Sequence, residues 1–117
     1  MTGAVSYHAG LAAEDAVARH YTQIGCEVAA RRWRGAAGEI DLIARCGAMV
    51  IFIEVKHSHS HAAAALHLRP GQFARISLAA EEFVGAEPGG SLTEMRFDVA
   101  LVDGQGVIEI LENAYAA

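Results

Sequence analysis

From Leu11 to Ile24 the apolar residues Leu11, Val17, Ala18, Tyr21 and Ile24 recur at the spacing of one helix face, and Gly25 follows as a stop. The pattern predicts a first helix there. Glu27 to Trp33 reads as a weaker strand. From Gly38 to Arg45, Glu39, Asp41 and Ile43 alternate with Ile40, Leu42 and Ala44, and Met49 to Lys56 is an apolar run that ends in charge. With Cys46-Gly47 between them, the two stretches predict an antiparallel hairpin. Pro70 opens a second helical pattern with Phe73, Ile76, Ala80 and Phe83 on one face and Gly85 at its end. Strands are predicted at Met95 to Val102 and Val107 to Leu111, divided by Asp103-Gly104. The low-complexity stretches HSHSHAAAAL (57–66) and GAEPGGS (85–91) read as loops around the second helix.

The order is α-β-β-β-α-β-β. The link from the third strand through the second helix to the fourth is long enough for a right-handed parallel crossover, which gives an α/β class with a mixed central β-sheet flanked by helices. Met49-Val50-Ile51-Phe52-Ile53 is the nearly unbroken apolar run of a strand buried on both faces, so the hairpin belongs in the middle of the sheet.

Composition narrows the class. The 117 residues amount to one domain, 1–117, large enough to bury a core without a metal or disulfide. Hydrophobic residues make up 53%, inflated by 24 alanines, and aromatics only 7%, so Ile, Val, Leu and a few Phe must fill the interior. The formal charge of −5 excludes a protein that coats nucleic acid by bulk electrostatics, although specific nucleic-acid enzymes stay open. Eight of the nine basic residues are arginines, and Arg31, Arg32 and Arg34 crowd one stretch. The segment MTGAVSYHAG has no leader pattern, and the longest apolar stretch, Ala48 to Ile53, is too short to span a bilayer. A cytoplasmic protein with no membrane partner is expected. Cys26 and Cys46 lack ligand spacing and read as isolated thiols in core or surface positions.

The chemistry gathers at the end of the buried strand. Glu54 and Lys56 are two apart and share a face, as do Glu39 and Asp41 on the neighbouring strand. At about 100° per residue Glu14 falls within the apolar arc of the first helix and is expected to point at the sheet. Carboxylates converging without arginine partners call for a cation, and oxygen donors suit Mg²⁺ or Mn²⁺ rather than Zn²⁺. Such a metal could bind a scissile phosphate and acidify water beside Lys56.

Asp41, twelve residues, then Glu54-x-Lys56 resembles the PD-(D/E)XK nuclease signature, with Glu14 as in its resolvase-like branches. Gly10, Glu14, Tyr21, Gly25, Trp33-Arg34, GEIDLIA (38–44), VIFIEVK (50–56), RISLAAEEF (75–83), RFDVALV (96–102) and Glu112-Asn113-Ala114-Tyr115 together resemble the YraN family of small bacterial proteins over nearly the whole chain. The resemblance implies a restriction-endonuclease-like fold and, by analogy across the superfamily, metal-dependent cleavage of DNA. It makes Glu14, Asp41, Glu54 and Lys56 the expected catalytic residues, and Asp41, Glu54, Val55, Glu14 and Glu39 the expected metal ligands. Ile40 stands where the signature has proline, Ser58 where many members carry a basic residue, and Gln72 where a lysine is common, which weakens the expected grip on phosphate.

Arg31, Arg32, Arg34, Arg69 and Arg75, with Gln72 as a neutral donor, are the candidate DNA contacts; the first three serve equally well as a charged strand edge. Glu39 also reads as a turn or supporting residue. Trp33 reads as packing. His57, His59 and His61 alternate within a loop and lack the context of a zinc site, with His57 alone near enough to Lys56 to reach substrate. Two functions follow: a Mg²⁺- or Mn²⁺-dependent DNA phosphodiesterase selective for branched or single-stranded shapes, or a non-catalytic nucleic-acid-binding or complex-forming module that keeps the fold. Neither needs a small-molecule cofactor. Symmetric cutting of both strands would need a homodimer.

Overall fold

The computed structural model describes residues 3–115; Met1, Thr2, Ala116 and Ala117 lie outside them. Helix α1 (Gly3–Gln23) precedes strands β1 (Glu27–Gly35), β2 (Gly38–Cys46) and β3 (Met49–His57). A short helix α2 (His61–Ala65), helix α3 (Gln72–Val84) and strands β4 (Met95–Val102) and β5 (Ile108–Leu111) follow. The sheet order is β1-β2-β3-β4-β5, with β3 and β4 parallel and every other pair antiparallel. The protein is therefore a mixed five-stranded α/β sandwich with β3 at its centre, as the hydrophobic pattern predicts. No helix among the described residues is long and apolar enough to cross a membrane.

Alternation along the strands sorts the side chains into two layers. Leu42, Ala44, Ile51, Ile53, Val55, Ala100 and Val102 pack with Ala13, Val17, Ala18 and Tyr21 of α1. On the other face Ile43, Val50 and Phe52 pack with Ala79, Ala80 and Val84 of α3. Burying each large aliphatic contributes about 1.5–3 kcal/mol, so these two layers are the main source of stability. The α1 face is also pinned by a polar contact. Asp98, 1% exposed, accepts hydrogen bonds from Tyr21 Oη (2.7 Å), from both Arg96 Nε and Nη2 (2.9 Å each) and from the Asn113 N–H (3.0 Å).

Four expectations are corrected. First, the HSHSHAAAAL stretch contains α2 rather than a plain loop: Ser60 caps it by accepting the Ala63 N–H (3.1 Å), alanines favour helix, and Ala64 is buried against Val99 and Leu101. Second, α3 begins two residues after Pro70, because Gly71 takes a left-handed conformation (φ 81°) that ends the preceding turn. Third, Ile24 lies past the end of α1 and is 57% exposed, so it does not belong to the packed face. Fourth, Cys26 and Cys46 form a disulfide. They sit one step beyond the Glu27↔Arg45 pair of the β1–β2 ladder, with Cα atoms 4.4 Å apart, a proximity that only the strand register reveals.

Replacing Asp98 with alanine leaves the Arg96 guanidinium and the Tyr21 hydroxyl without their buried acceptor. The expected loss is about 3–5 kcal/mol of unfolding free energy, read by urea titration. A loss below about 1 kcal/mol would show that this network does not hold α1 to the sheet.

Candidate active site at the β2–β3 fork

The β2–β3 ladder runs from Cys46↔Met49 to Leu42↔Ile53 and stops there. Beyond it the strands part, and the N–H of Val55 has no β2 carbonyl opposite. Asp41 Oδ2 accepts it instead, at 2.8 Å. A carboxylate is thus drawn into the fork by the main-chain donor that the ladder leaves over.

Glu54 is next to it in the chain and stands on the α3 face, since Ile53 and Val55 on either side belong to the α1 layer. It is 4% exposed. Its Oε2 accepts from Gln72 Nε2 in the first turn of α3 (2.7 Å) and lies 3.8 Å from Lys56 Nζ, while its Oε1 is buried with no hydrogen-bond partner. Burial, and after it the charge of Asp41, push the Glu54 carboxyl up to about 7. Burial also raises Asp41; the Val55 N–H opposes the shift, and the charges of Glu14 and Glu39 add to it against the pull of Lys56. Two carboxylates therefore face each other under conditions that disfavour their both being ionised.

Glu14 does face this region, since its charge acts on Asp41, but its own Oε2 accepts from Arg32 Nε (3.0 Å). Glu39 pairs with Arg34 (3.2 Å), and Arg31 pairs with Asp15. The premise of carboxylates without arginine partners thus holds for Asp41 and Glu54 and fails for Glu14 and Glu39. Among the described residues no group of three or more His, Cys, Asp or Glu is gathered as a metal cage. Asp41 and Glu54 are the pair of hard oxygen donors at the fork. Val55, whose only polar groups are on its main chain, has given its N–H to Asp41.

The main-chain carbonyl of Glu39 accepts from Arg75 Nη1 (2.8 Å), which runs across Gly38 so closely that a Cβ there would lie 2.7 Å from the guanidinium. That approach, with φ of 137°, explains the glycine. Lys56, Arg69, Pro70, Gly71, Gln72 and Arg75 line an open cleft of about 420 Å³ beside the acidic pair. Gln72, expected to reach phosphate, bridges instead between Glu54 and the Arg69 N–H (3.3 Å). His57 follows Lys56 but lines a separate cavity of about 590 Å³ with Ala9, Ala12 and Ala13 of α1. His61 bonds the Val107 carbonyl (2.8 Å) and pairs with Glu109 (3.3 Å), holding α2 to the turn before β5. Trp33 packs edge-on against Phe83, as expected.

Sequence reasoning did not single out Asp98 or Arg96. Their signal was available: two charged residues, spaced to share a face, inside an otherwise apolar strand.

The fold and this fork define a small α/β protein with a buried Glu54, a half-buried Asp41 and a lysine where its central strands part. The chain belongs to the family described as Uncharacterised protein family UPF0102, which matches residues 13–102. It is similar to a UPF0102 protein of Cereibacter sphaeroides, 66% identical over 117 residues and the full length of both chains. UPF0102 proteins of Roseobacter denitrificans (54% over 112 residues, 96% of this chain and 87% of the relative) and Ruegeria pomeroyi (54% over 113 residues, 97% and 92%) are similar along almost the same span.

Because the folded protein holds the Glu54 proton more tightly than the unfolded chain, whose carboxyl titrates near 4.5, the stability that Glu54 contributes falls as pH rises from about 4.5 to about 7 and levels off above. Glu54→Gln removes that loss. In EDTA at pH 8 the variant should be more stable than wild type by on the order of 3 kcal/mol, and near parity at pH 4.5, by denaturant unfolding. A wild-type advantage at pH 8 would contradict the buried-acid description.

Proposed function

We propose that the chain is a divalent-metal-dependent phosphodiesterase acting on DNA, a nuclease module of the PD-(D/E)XK, restriction-endonuclease-like kind. The observation that carries this reading is the buried Glu54 with the half-buried Asp41 and Lys56 beside it. A carboxylate pushed up to about 7 by burial and a neighbouring acid, with one inner oxygen unpartnered, is a poor structural element and a good cation ligand. Mg²⁺ is commonly held by one or two carboxylates and its own waters, so Asp41 and Glu54 fit such an ion, or Mn²⁺, without a larger cage.

When bound, the metal supplies Lewis acidity toward a phosphoryl oxygen and a lowered pKa for its water. The chain's own residues do the rest. Asp41 and Glu54 would hold the ion. The Lys56 ammonium, 3.8 Å from Glu54, orients the attacking water and offsets charge on the phosphate. Arg69 and Arg75 line the adjoining cleft and receive the DNA backbone, whereas Arg31, Arg32 and Arg34 are already paired with Asp15, Glu14 and Glu39. With net charge −5 and a short basic surface, the expected substrates are flaps, forks and single-stranded positions, chosen by shape more than by sequence, and cutting of both strands calls for a second copy.

The second reading, a non-catalytic nucleic-acid-binding module, is favoured by the arginine pairing of Glu14 and Glu39 and by Gln72 sitting on Glu54. One experiment separates the two. Labelled flap, fork and four-way-junction DNA is incubated with wild type, Asp41→Ala, Glu54→Ala and Lys56→Ala in Mg²⁺, Mn²⁺ or EDTA. Slow, metal-dependent cleavage that weakens steeply with salt is expected for wild type and none for the two acid variants. Lys56→Ala should keep Mn²⁺ binding and lose about 100-fold or more in rate. Equal rates in all proteins would expose a contaminant, and metal binding without cleavage of any substrate would establish the non-catalytic module.

A further inference from the structure

Tyr115 lies 59 residues beyond Lys56 of the site, yet the segment after β5 brings it back. After β5 the main chain folds over β4: the Asn113 N–H, from a residue at φ 50°, bonds Asp98, and the Ala114 N–H bonds the Phe97 carbonyl at 2.8 Å. The Tyr115 ring then stacks on Phe73 (centroids 4.7 Å, 27° between planes), the residue following Gln72 in α3. A half-exposed tyrosine ordinarily keeps its ring against apolar groups and its hydroxyl in water. Here the residue as a whole is partly exposed, yet its hydroxyl is buried with no hydrogen-bond partner. Glu54 Oε1 is buried and unpartnered as well. The phenol lies within the fields of both Glu54 and Arg75, the first opposing its ionisation and the second favouring it. A donor without an acceptor and an acceptor without a donor thus occupy one region of the α3 face.

Resting on the metal-dependent reading above, we infer that Tyr115 is a positioning residue of the site: its hydroxyl closes onto Glu54 Oε1 when the Asp41–Glu54 pair takes its metal, and fixes the carboxylate's orientation. Hydrogen bonds of this kind are often loose in ligand-free sites and tighten on loading. Partners of ligating carboxylates set metal affinity by about 10–100-fold. Asn113 to Tyr115 are in this sense part of the site.

The test is Tyr115→Phe, which keeps the ring and its stacking on Phe73 and removes only the hydroxyl. Melting temperature in EDTA should be unchanged or raised, since a buried unpartnered hydroxyl is lost. Mn²⁺ affinity by calorimetry should fall about tenfold or more, and the variant should have no further effect on Mn²⁺ binding in a Glu54→Gln background. Thr93→Val, which removes the buried unpartnered hydroxyl beside Gly89, should leave Mn²⁺ affinity unchanged and serves as the control. Wild-type Mn²⁺ binding with equal affinity in Tyr115→Phe would overturn the role of Tyr115 and leave the metal-dependent reading standing. No Mn²⁺ binding by wild type would overturn both.

Discussion

Where β2 and β3 part after Leu42↔Ile53, one main-chain donor, the Val55 N–H, must still be satisfied inside the protein, and Asp41 satisfies it. The rest of the site follows from that substitution of a carboxylate for a ladder carbonyl. Asp41 is fixed at the fork and raised by burial; its charge in turn raises Glu54; and Glu54 recruits Gln72 and Lys56. A ladder continued by one more pair would have given the same N–H an uncharged partner and left Glu54 without its acidic neighbour. The acid–acid contact is a local cost, and it is tolerated because β3 is embedded in two apolar layers that hold the strand in place.

The sheet buries two carboxylates in opposite states. Asp98 is surrounded by donors: a phenol, a guanidinium and a main-chain N–H. It is complete, and its work is to join α1, β4 and the chain's end. Glu54 has one good donor and a distant ammonium, and keeps an oxygen idle. Burial alone does not separate a structural acid from a reactive one; the number of donors already committed does.

The hairpin, the central strand and the packed face of α1 were legible in the sequence because alternation and helical spacing record which side of an element meets the core. Val17, Ala18 and Tyr21, or Val50 to Ile53, need no partner to be recognised. The shared face of Glu54 and Lys56 was legible for the same reason: strand parity puts residues two apart on one face. What remained hidden depends on who sits across. Arg32 reaching Glu14 and Arg34 reaching Glu39 cancel charges that look free along the chain. Tyr21 meets Asp98 across 77 positions. The Ala62–Ala65 run, read as low complexity, becomes helical because Ser60 caps it and Ala64 is buried against Val99 and Leu101.

The Cys26–Cys46 bond has a mechanical consequence for the edge of the sheet. The β1–β2 ribbon is closed at one end by the short link between Gly35 and Gly38 and at the other by the disulfide, so it is a ring rather than a zipper. An edge strand normally leaves a sheet by fraying from a free end, one ladder bond at a time. With both ends tied, β1 has no free end from which to start, and its bonds must fail together. The arginines of β1 that hold Asp15 and Glu14 of α1 are carried on that ring. In oxidising surroundings the edge of this protein is thus a closed band, and in reducing ones it becomes a strap with a loose end.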